Sequence, residues 1–180
     1  METRISKVNI SAAGGTAAKG SKTCKVTLPN SWLEELGITH DERELQLSFD
    51  GQTITLRKIL SSQEFVSSKT ALSHEVKKLS FYDGNTLCSV IYADFTDHTL
   101  TVENFSKDPV KTAFGKCSCP DWSDFQTFLE DRCISRHRDG LQYYLRELHL
   151  DEYDPMAIIE KTEGRMAEDQ QWIRIEEVFS

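Results

Sequence analysis

The stretch that decides the fold of the N-terminal region is residues 14–38, GGTAAKGSKTCKVTLPNSWLEELGI. It begins with small residues around Lys19 and becomes an alternating segment over residues 23–28, which predicts a β-strand. Pro29 ends that strand because it has no amide hydrogen to donate. Gly37 is typical of the residue that follows a helix. The apolar stripe of the short helix between them consists of Trp32, Leu33 and Leu36.

Alternating segments also flank this stretch. Residues 3–10 alternate imperfectly and predict a strand, and residues 11–21 are too small and glycine-rich to be anything but a loop. Residues 44–58 predict a hairpin around Asp50-Gly51, a strong turn signal. Residues 1–60 are therefore expected to form one small domain of four strands and a helix. Its size is marginal for an independent core, which a dimer sharing one core would remedy.

The charge of the chain is distributed unevenly. The net charge is −8 over 180 residues, yet residues 1–30 hold five basic side chains and one acid, whereas residues 61–180 hold 13 basic and 22 acidic ones. Phosphate contacts supply most nucleic-acid affinity, so a polyanion should meet the N-terminal end. The acidic remainder suits a protein partner or solubility.

Composition also bounds the class of protein. Hydrophobic residues make up 38% of the chain, which is enough for a packed core. No apolar run approaches the ~20 residues of a membrane-spanning helix, and the N-terminus METRISKVNI lacks the apolar segment of a signal peptide. The five cysteines are an odd number, expected to be reduced thiols in a cytoplasmic protein.

The motifs Leu28-Pro29 before Trp32, then LGI at residues 36–38, then LQLSFDGQTITLRK at residues 45–58, resemble the AbrB/MazE/SpoVT family of swapped-hairpin transcription factors and antitoxins. The resemblance covers about residues 3–60. It implies a homodimer in which two chains interleave their strands into one small DNA-binding barrel. The DNA-binding positions it implies are Arg4, Lys7, Lys19, Lys22, Lys25 and Lys58. The dimer core is expected to contain Val26, Leu28, Trp32, Leu33, Leu36 and Leu47. Lysine dominates where many family members have arginine, so we expect phosphate contacts with weak sequence readout.

The rest of the chain predicts a linker and a second domain. Residues 61–74 are rich in serine and weakly patterned, which favours a linker, although a short helix around residues 62–66 is compatible with them. Residues 75–180 predict an antiparallel meander of three strands covered by helices, an α+β domain suited to protein interaction. The segment YDPMAIIEKTEGRMAEDQQWIRI, residues 153–175, resembles uncharacterised proteins of gut Firmicutes, and this resemblance implies no activity.

Candidate catalytic and metal sites are weak. Cys117 and Cys119 are separated by one residue, which is tighter than zinc sites prefer, so a zinc site with Cys133 and His137 is not favoured. A nucleophilic pair of Cys133 with His137 or His149 lacks a recognisable orienting group. We therefore expect no catalytic residue, metal or cofactor. A second basic cluster, Arg132, Arg136, Arg138 and Arg146, is interpreted as helix-end charges paired with neighbouring acids, with an auxiliary nucleic-acid contact as the alternative.

These features lead to two functional hypotheses. The first is an AbrB-like transcriptional regulator, in the antitoxin-like case an autorepressor, that binds double-stranded DNA and carries a C-terminal partner-binding domain. The alternative is a phage- or plasmid-encoded inhibitor of a host defence nuclease, similar in role to an anti-CRISPR protein. Such a nuclease carries basic nucleic-acid channels that an acidic domain could engage.

Overall fold

The computed structural model describes residues 2–14, 18 and 20–178. The chain divides into two compact units, Met1–Ile59 and Leu60–Ser180. Helices and antiparallel strands occur in both units, which confirms the α+β class. Among the described residues no helix has the length and apolar character needed to cross a membrane.

The N-terminal unit consists of two hairpins joined by a short helix. Strands β1 (Asn9–Ala12) and β2 (Lys22–Lys25) form one antiparallel pair. Helix α1 (Asn30–Glu35) follows, and strands β3 (Leu45–Phe49) and β4 (Ile54–Lys58) form the second pair. Each pair is a separate two-stranded sheet, so the described residues of one chain do not close a barrel.

The turn predicted at Asp50-Gly51 and the helix end predicted at Gly37 are both confirmed. The Asp50 carboxylate accepts hydrogen bonds from the amides of Gln52 and Thr53 at 2.9 and 2.8 Å, which fixes the turn between β3 and β4. Gly37 has a φ of +68°, and the amide of Ile38 donates to the carbonyl of Leu33 at 2.9 Å, so α1 ends in a Schellman motif.

The first predicted strand differs from the structure. Strand β1 begins at Asn9, so most of residues 3–10 is outside any strand. A strand needs a hydrogen-bonded neighbour, and β2 ends at Lys25, opposite Asn9. The residues before Asn9 therefore have no partner strand within the described part of the chain. Ile5 is consequently fully exposed.

The second hairpin has an apolar face that its own chain leaves open. The register places Leu47 opposite Leu56 and Phe49 opposite Ile54, all on one face. Their exposed fractions run from 37% for Leu56 to 69% for Phe49. No described residue between 2 and 59 is buried. The N-terminal unit therefore has apolar sheet surfaces, but its described residues form no buried core.

The second unit is a four-stranded antiparallel sheet with helices on both faces. Its strands are β5 (Val76–Asp83), β6 (Thr86–Asp94), β7 (Thr99–Asn104) and β8 (Gln171–Glu177), in the order β7-β6-β5-β8. The predicted meander is confirmed as β5 to β7, and β8 adds a fourth strand at the edge beside β5. The helices are α2 (Ser62–Ala71), α3 (Trp122–Asp131), α4 (Leu141–Glu147) and α5 (Pro155–Thr162).

Helix α2 replaces most of the linker predicted at residues 61–74. Ser61 and Glu64 form a capping box, and Phe65 is buried. The serines that suggested a flexible segment therefore start a helix, and one buried aromatic ring fixes it within the second unit. Only a local cap, and no apolar periodicity, indicates this helix in the sequence.

The core of the second unit lies between helices α3, α4 and α5 and the sheet face opposite α2. Leu79, Ile91 and Ile173 come from the sheet, and Phe125 and Ile158 from the helices, all almost completely buried. Helices α3 and α5 are capped by aspartates: the Asp121 and Asp154 side chains accept hydrogen bonds from the first amides of these helices.

A buried arginine ties the end of α3 to the segment before β8. Arg132, 7% exposed, donates to both Asp169 carboxylate oxygens at 2.6 and 3.1 Å. It also donates to the carbonyl of Gly164 at 2.7 Å and to that of Gln171 at 2.9 Å. Four such acceptors compensate the desolvation of a buried guanidinium.

We predict that Arg132→Ala lowers the free energy of unfolding of the second unit by about 2–3 kcal/mol, because the carbonyls of Gly164 and Gln171 lose the guanidinium and Asp169, 34% exposed, keeps only the Gln171 amide as a donor. Arg136→Ala is the matched control: its exposed ion pair with Glu130 should contribute about 1 kcal/mol or less. Urea unfolding followed by tryptophan fluorescence in a Trp32→Phe background measures both. Equal losses for the two variants would contradict the structural role of Arg132.

Candidate nucleic-acid interface

The β1–β2 hairpin presents a polar face and a mixed face. The register pairs Asn9 with Lys25 and Ser11 with Thr23, and side chains alternate along each strand, so these four residues share one face. The opposite face carries Ile10, Ala12, Cys24 and Lys22. Lys22 and Lys25 are both exposed but project from opposite faces of the ribbon.

The remaining predicted DNA-binding residues lie in different surroundings. Arg4 pairs with Glu2 at 2.6 Å and lies over the Trp32 ring at 5.7 Å. Lys7 is exposed. Lys19 lies outside the described residues. Lys58 is on the apolar face of the other hairpin, 17% exposed, with its ammonium 3.4 Å from the Glu42 carboxylate. The structure thus places Lys22 and Lys25 on one exposed ribbon and Lys58 away from it.

The predicted dimer-core residues are incompletely covered by their own chain. Val26, Leu36 and Leu47 are 54%, 40% and 65% exposed, and Leu28, Trp32 and Leu33 are half-buried. The Trp32 indole donates to the Glu2 carboxylate at 2.9 Å, and this bond, with that from Arg4, lowers the pKa of Glu2. Trp32 therefore anchors the N-terminal segment against α1.

The second unit contains an ionic cluster that the sequence analysis did not predict. Asp94 is fully buried, and its Oδ2 is 2.8 Å from Nδ1 of His74 and 2.9 Å from Nζ of Lys69. Asp97 accepts from the same ammonium at 2.7 Å. Burial alone would raise the pKa of Asp94, but the bonds from His74, Lys69 and the amides of Thr96 and Asp97 lower it to about 2. No spacing motif connects these residues, because α2 and a turn bring them together.

His74, Asp94 and Asp97 also have the geometry of a metal-ligand set, since one ligand atom from each lies within 4.8 Å of the others. The Lys69 ammonium already lies 2.9 and 2.7 Å from the two carboxylates. A cation is therefore supplied by the chain itself, and the cluster's chemistry is that of a fixed ion pair joining α2 to the end of β6.

The cysteines are all free thiols. Cys133 is buried, and burial, followed by the nearby carboxylates Glu130 and Asp154, raises its pKa to about 12. Its thiol stays protonated at neutral pH, which removes the reactivity that a nucleophile needs. Cys117 and Cys119 are exposed on the segment before α3.

The second basic cluster is dispersed. Arg132 is buried, and Arg136 pairs with Glu130 at 2.7 Å while lying over the Tyr153 ring at 4.6 Å. The pairing of Arg136 with Glu130 follows the sequence interpretation. Arg132 lies at the end of α3, as expected, but it is buried and pairs with the distant Asp169 and not with a neighbouring acid.

A comparison with protein-family models, curated proteins and solved structures finds no match for this chain. The AbrB-like interpretation of residues 1–60 and the resemblance of the C-terminal segment therefore stay predictions.

We predict that Asp94→Asn lowers the free energy of unfolding by about 2 kcal/mol at neutral pH, because the lowered pKa means that the folded state favours the carboxylate. The contribution is complete above the ordinary value of 3.8 and is lost as the pH falls toward 2. The two proteins should therefore converge in acid. Asp97→Asn, at a half-exposed side chain, is the control and should cost about 1 kcal/mol or less. A pH-independent difference between wild type and Asp94→Asn would contradict this account.

Proposed function

We propose that the protein is a dimeric DNA-binding regulator whose second unit binds a protein partner. The observation that carries the proposal is the open apolar face of the β3–β4 hairpin, which occurs in the same small unit as an exposed lysine-bearing ribbon. The first feature calls for a second copy, and the second suits a polyanion. The proposed setting is the cytoplasm, where the five free thiols would stay reduced.

The dimer follows from the energetics of exposure. Buried apolar surface contributes roughly 25 cal/mol per Å², and the paired Leu47, Phe49, Ile54 and Leu56 remain substantially exposed on one hairpin face. A second copy brings an identical face, so isologous packing would bury both at once. The residues before Asn9 would gain a strand partner in the same assembly, which is the interleaved arrangement that the AbrB resemblance implies.

DNA binding is supported by the shape and chemistry of the β1–β2 ribbon. A two-stranded ribbon fits the major groove of duplex DNA. Its polar face carries Asn9, Ser11, Thr23 and Lys25, which offer hydrogen-bonding groups beside a phosphate-binding charge. Lys22 projects from the other face, where it could contact a backbone phosphate. Two copies would bring two such ribbons to one duplex, so the affinity should depend strongly on salt.

We predict that Leu47→Glu dissociates the dimer, because it places a carboxylate in the shared apolar face. Ser48→Glu is the matched control, since Ser48 lies on the opposite face of the same strand. Sedimentation equilibrium should give twice the 20.6 kDa chain mass for wild type and Ser48→Glu and the single-chain mass for Leu47→Glu. A wild-type monomer at micromolar concentration would refute the dimer.

We predict that Lys22→Ala with Lys25→Ala weakens duplex binding by about 100-fold, because a dimer loses four positive charges. The slope of log affinity against log salt should fall by about 0.9 for each phosphate contact removed. Adding Lys19→Ala should extend the loss, whereas Lys116→Ala, an exposed lysine of the second unit, should change nothing. Fluorescence anisotropy with a labelled duplex measures the affinity, and unchanged binding by the triple variant would show that the DNA site is elsewhere.

The inhibitor of a defence nuclease is the alternative, and the acidic second unit favours it. A regulator should protect one operator from cleavage at physiological salt and prefer it over random duplex. An inhibitor should bind a purified nuclease tightly and show little preference among duplexes. Footprinting and nuclease pull-down on the same preparation separate the two.

A further inference from the structure

The polar face of the β1–β2 ribbon carries side chains that have no partner among the described residues. Its members are Asn9 and Ser11 from β1 and Thr23 and Lys25 from β2. Within residues 2–14, 18 and 20–178, no hydrogen bond or ion pair involves any of these four side chains. All but the half-buried Thr23 are exposed, and the sequence contains no acidic residue between Glu2 and Glu34. The face therefore offers free hydrogen-bonding groups and a positive charge to a ligand outside the chain.

The opposite face of the ribbon is suited to packing against protein. It carries Ile10, which is 62% exposed, together with Ala12 and Cys24. An apolar side chain gains from leaving water, and a phosphate backbone does not cover it. A second copy can cover Ile10, which leaves the polar face for the duplex. Lys22 lies at the loop end of the Ile10 face, opposite Ala12, where a long side chain can still reach a phosphate.

Asn9 is the side chain on the polar face that can distinguish one base from another. Its carboxamide presents an acceptor and a donor side by side, and adenine presents the complementary N6 donor and N7 acceptor in the major groove. A hydroxyl group both donates and accepts, so Ser11 and Thr23 fit several bases. The Lys25 ammonium only donates, which suits a phosphate as well as a guanine. Base discrimination on this face therefore depends on Asn9.

The register places a phosphate anchor beside the Asn9 carboxamide. Asn9 is directly opposite Lys25, and cross-strand neighbours of an antiparallel pair lie about 5 Å apart. Along β1, Ser11 follows Asn9 by about 6.8 Å, since an antiparallel strand rises about 3.4 Å per residue. That distance equals about two base-pair steps of about 3.4 Å each. A ribbon that lies along the groove thus brings Asn9 to one base and Ser11 to a base two steps away, while Lys25 holds the backbone.

We propose that Asn9 reads an adenine in the major groove of duplex DNA. Its Oδ1 accepts a hydrogen bond from the adenine N6 amino group, its Nδ2 donates one to N7, and Lys25 contacts a neighbouring phosphate. The inference rests on the DNA binding proposed above and adds to it the residue that discriminates and the base that it selects. In the proposed dimer each copy supplies one Asn9, so the preferred duplex contains two adenines in symmetry-related half-sites.

The test is the selection of bound duplexes from a random-sequence pool by the full-length protein. We expect the selected duplexes to share an adenine in each of two inverted half-sites. Asn9→Ala should bind the selected duplex about 5- to 150-fold more weakly than wild type and should bind random duplex equally well. Asn9→Gln should retain the adenine, because glutamine pairs with it in the same way, whereas Asn9→Asp should select cytosine, whose N4 amino group donates to a carboxylate.

Two comparisons make the test specific to the Asn9 carboxamide. Asn85→Ala is the matched control, since Asn85 is an exposed asparagine of the second unit, and it should behave as wild type. Replacing the selected adenine by 7-deazaadenine removes the N7 acceptor. This change should weaken binding by wild type about 3- to 10-fold, the contribution of one hydrogen bond, and should leave binding by Asn9→Ala unchanged.

The outcomes separate this inference from the proposed function. The same enriched base for wild type, Asn9→Ala and Asn9→Asp would show that another residue reads the duplex. Selection without any enriched base would show that the protein contacts phosphates alone. Either result would overturn the role of Asn9 and leave duplex binding intact. A wild-type protein that binds neither selected nor random duplex would overturn the DNA-binding proposal as well.

Discussion

The apolar face of the β3–β4 hairpin is the constraint on which the account of the N-terminal unit depends. Leu47 and Leu56 face each other across the strands, as do Phe49 and Ile54, yet all four stay exposed in one chain. A pair of strands with one bare apolar face is marginally stable in water. Association with a second copy is the simplest way to remove that face from water, and it would also provide a strand for the residues before Asn9.

The second unit buries its own apolar core and pairs its buried charges. Its core is closed by apolar side chains from four strands and three helices. Two buried charged side chains, Arg132 and Asp94, add contacts between its elements. Arg132 holds the segment leading into β8, and Asp94 holds α2 through Lys69 and His74. Arg132 and Asp94 are each buried and hydrogen-bonded to several partners, which is the condition under which a buried charge is tolerated. The second unit therefore closes its core within one chain, whereas no described residue of the N-terminal unit before Ile59 is buried.

Sequence reasoning recovered what local patterns encode. Alternation identified the hairpin of β3 and β4 and the meander of β5 to β7. The predictions were wrong where contacts between residues distant in sequence determine the structure. The serines of residues 61–74 suggested a linker because α2 buries only one apolar side chain, Phe65, and its ionic contacts join Lys69 to residues distant in sequence. The first strand was predicted to start too early, at residue 3, because alternation does not show whether a partner strand exists. For the candidate interface, sequence indicated the lysines, but only the register showed that Lys22 and Lys25 occupy opposite faces.

The central claim is that a second copy completes the N-terminal unit, and amide hydrogen exchange tests it most directly. Within one chain, the described structure gives the amides of residues 5–8 no strand to pair with. In an interleaved dimer those amides would be hydrogen-bonded and would exchange slowly, with protection that decreases on dilution below the dissociation constant. Slow, concentration-dependent exchange at residues 5–8 and in β3 is the predicted result. Rapid exchange at these amides at every concentration, in a protein whose second unit is well protected, would contradict the account.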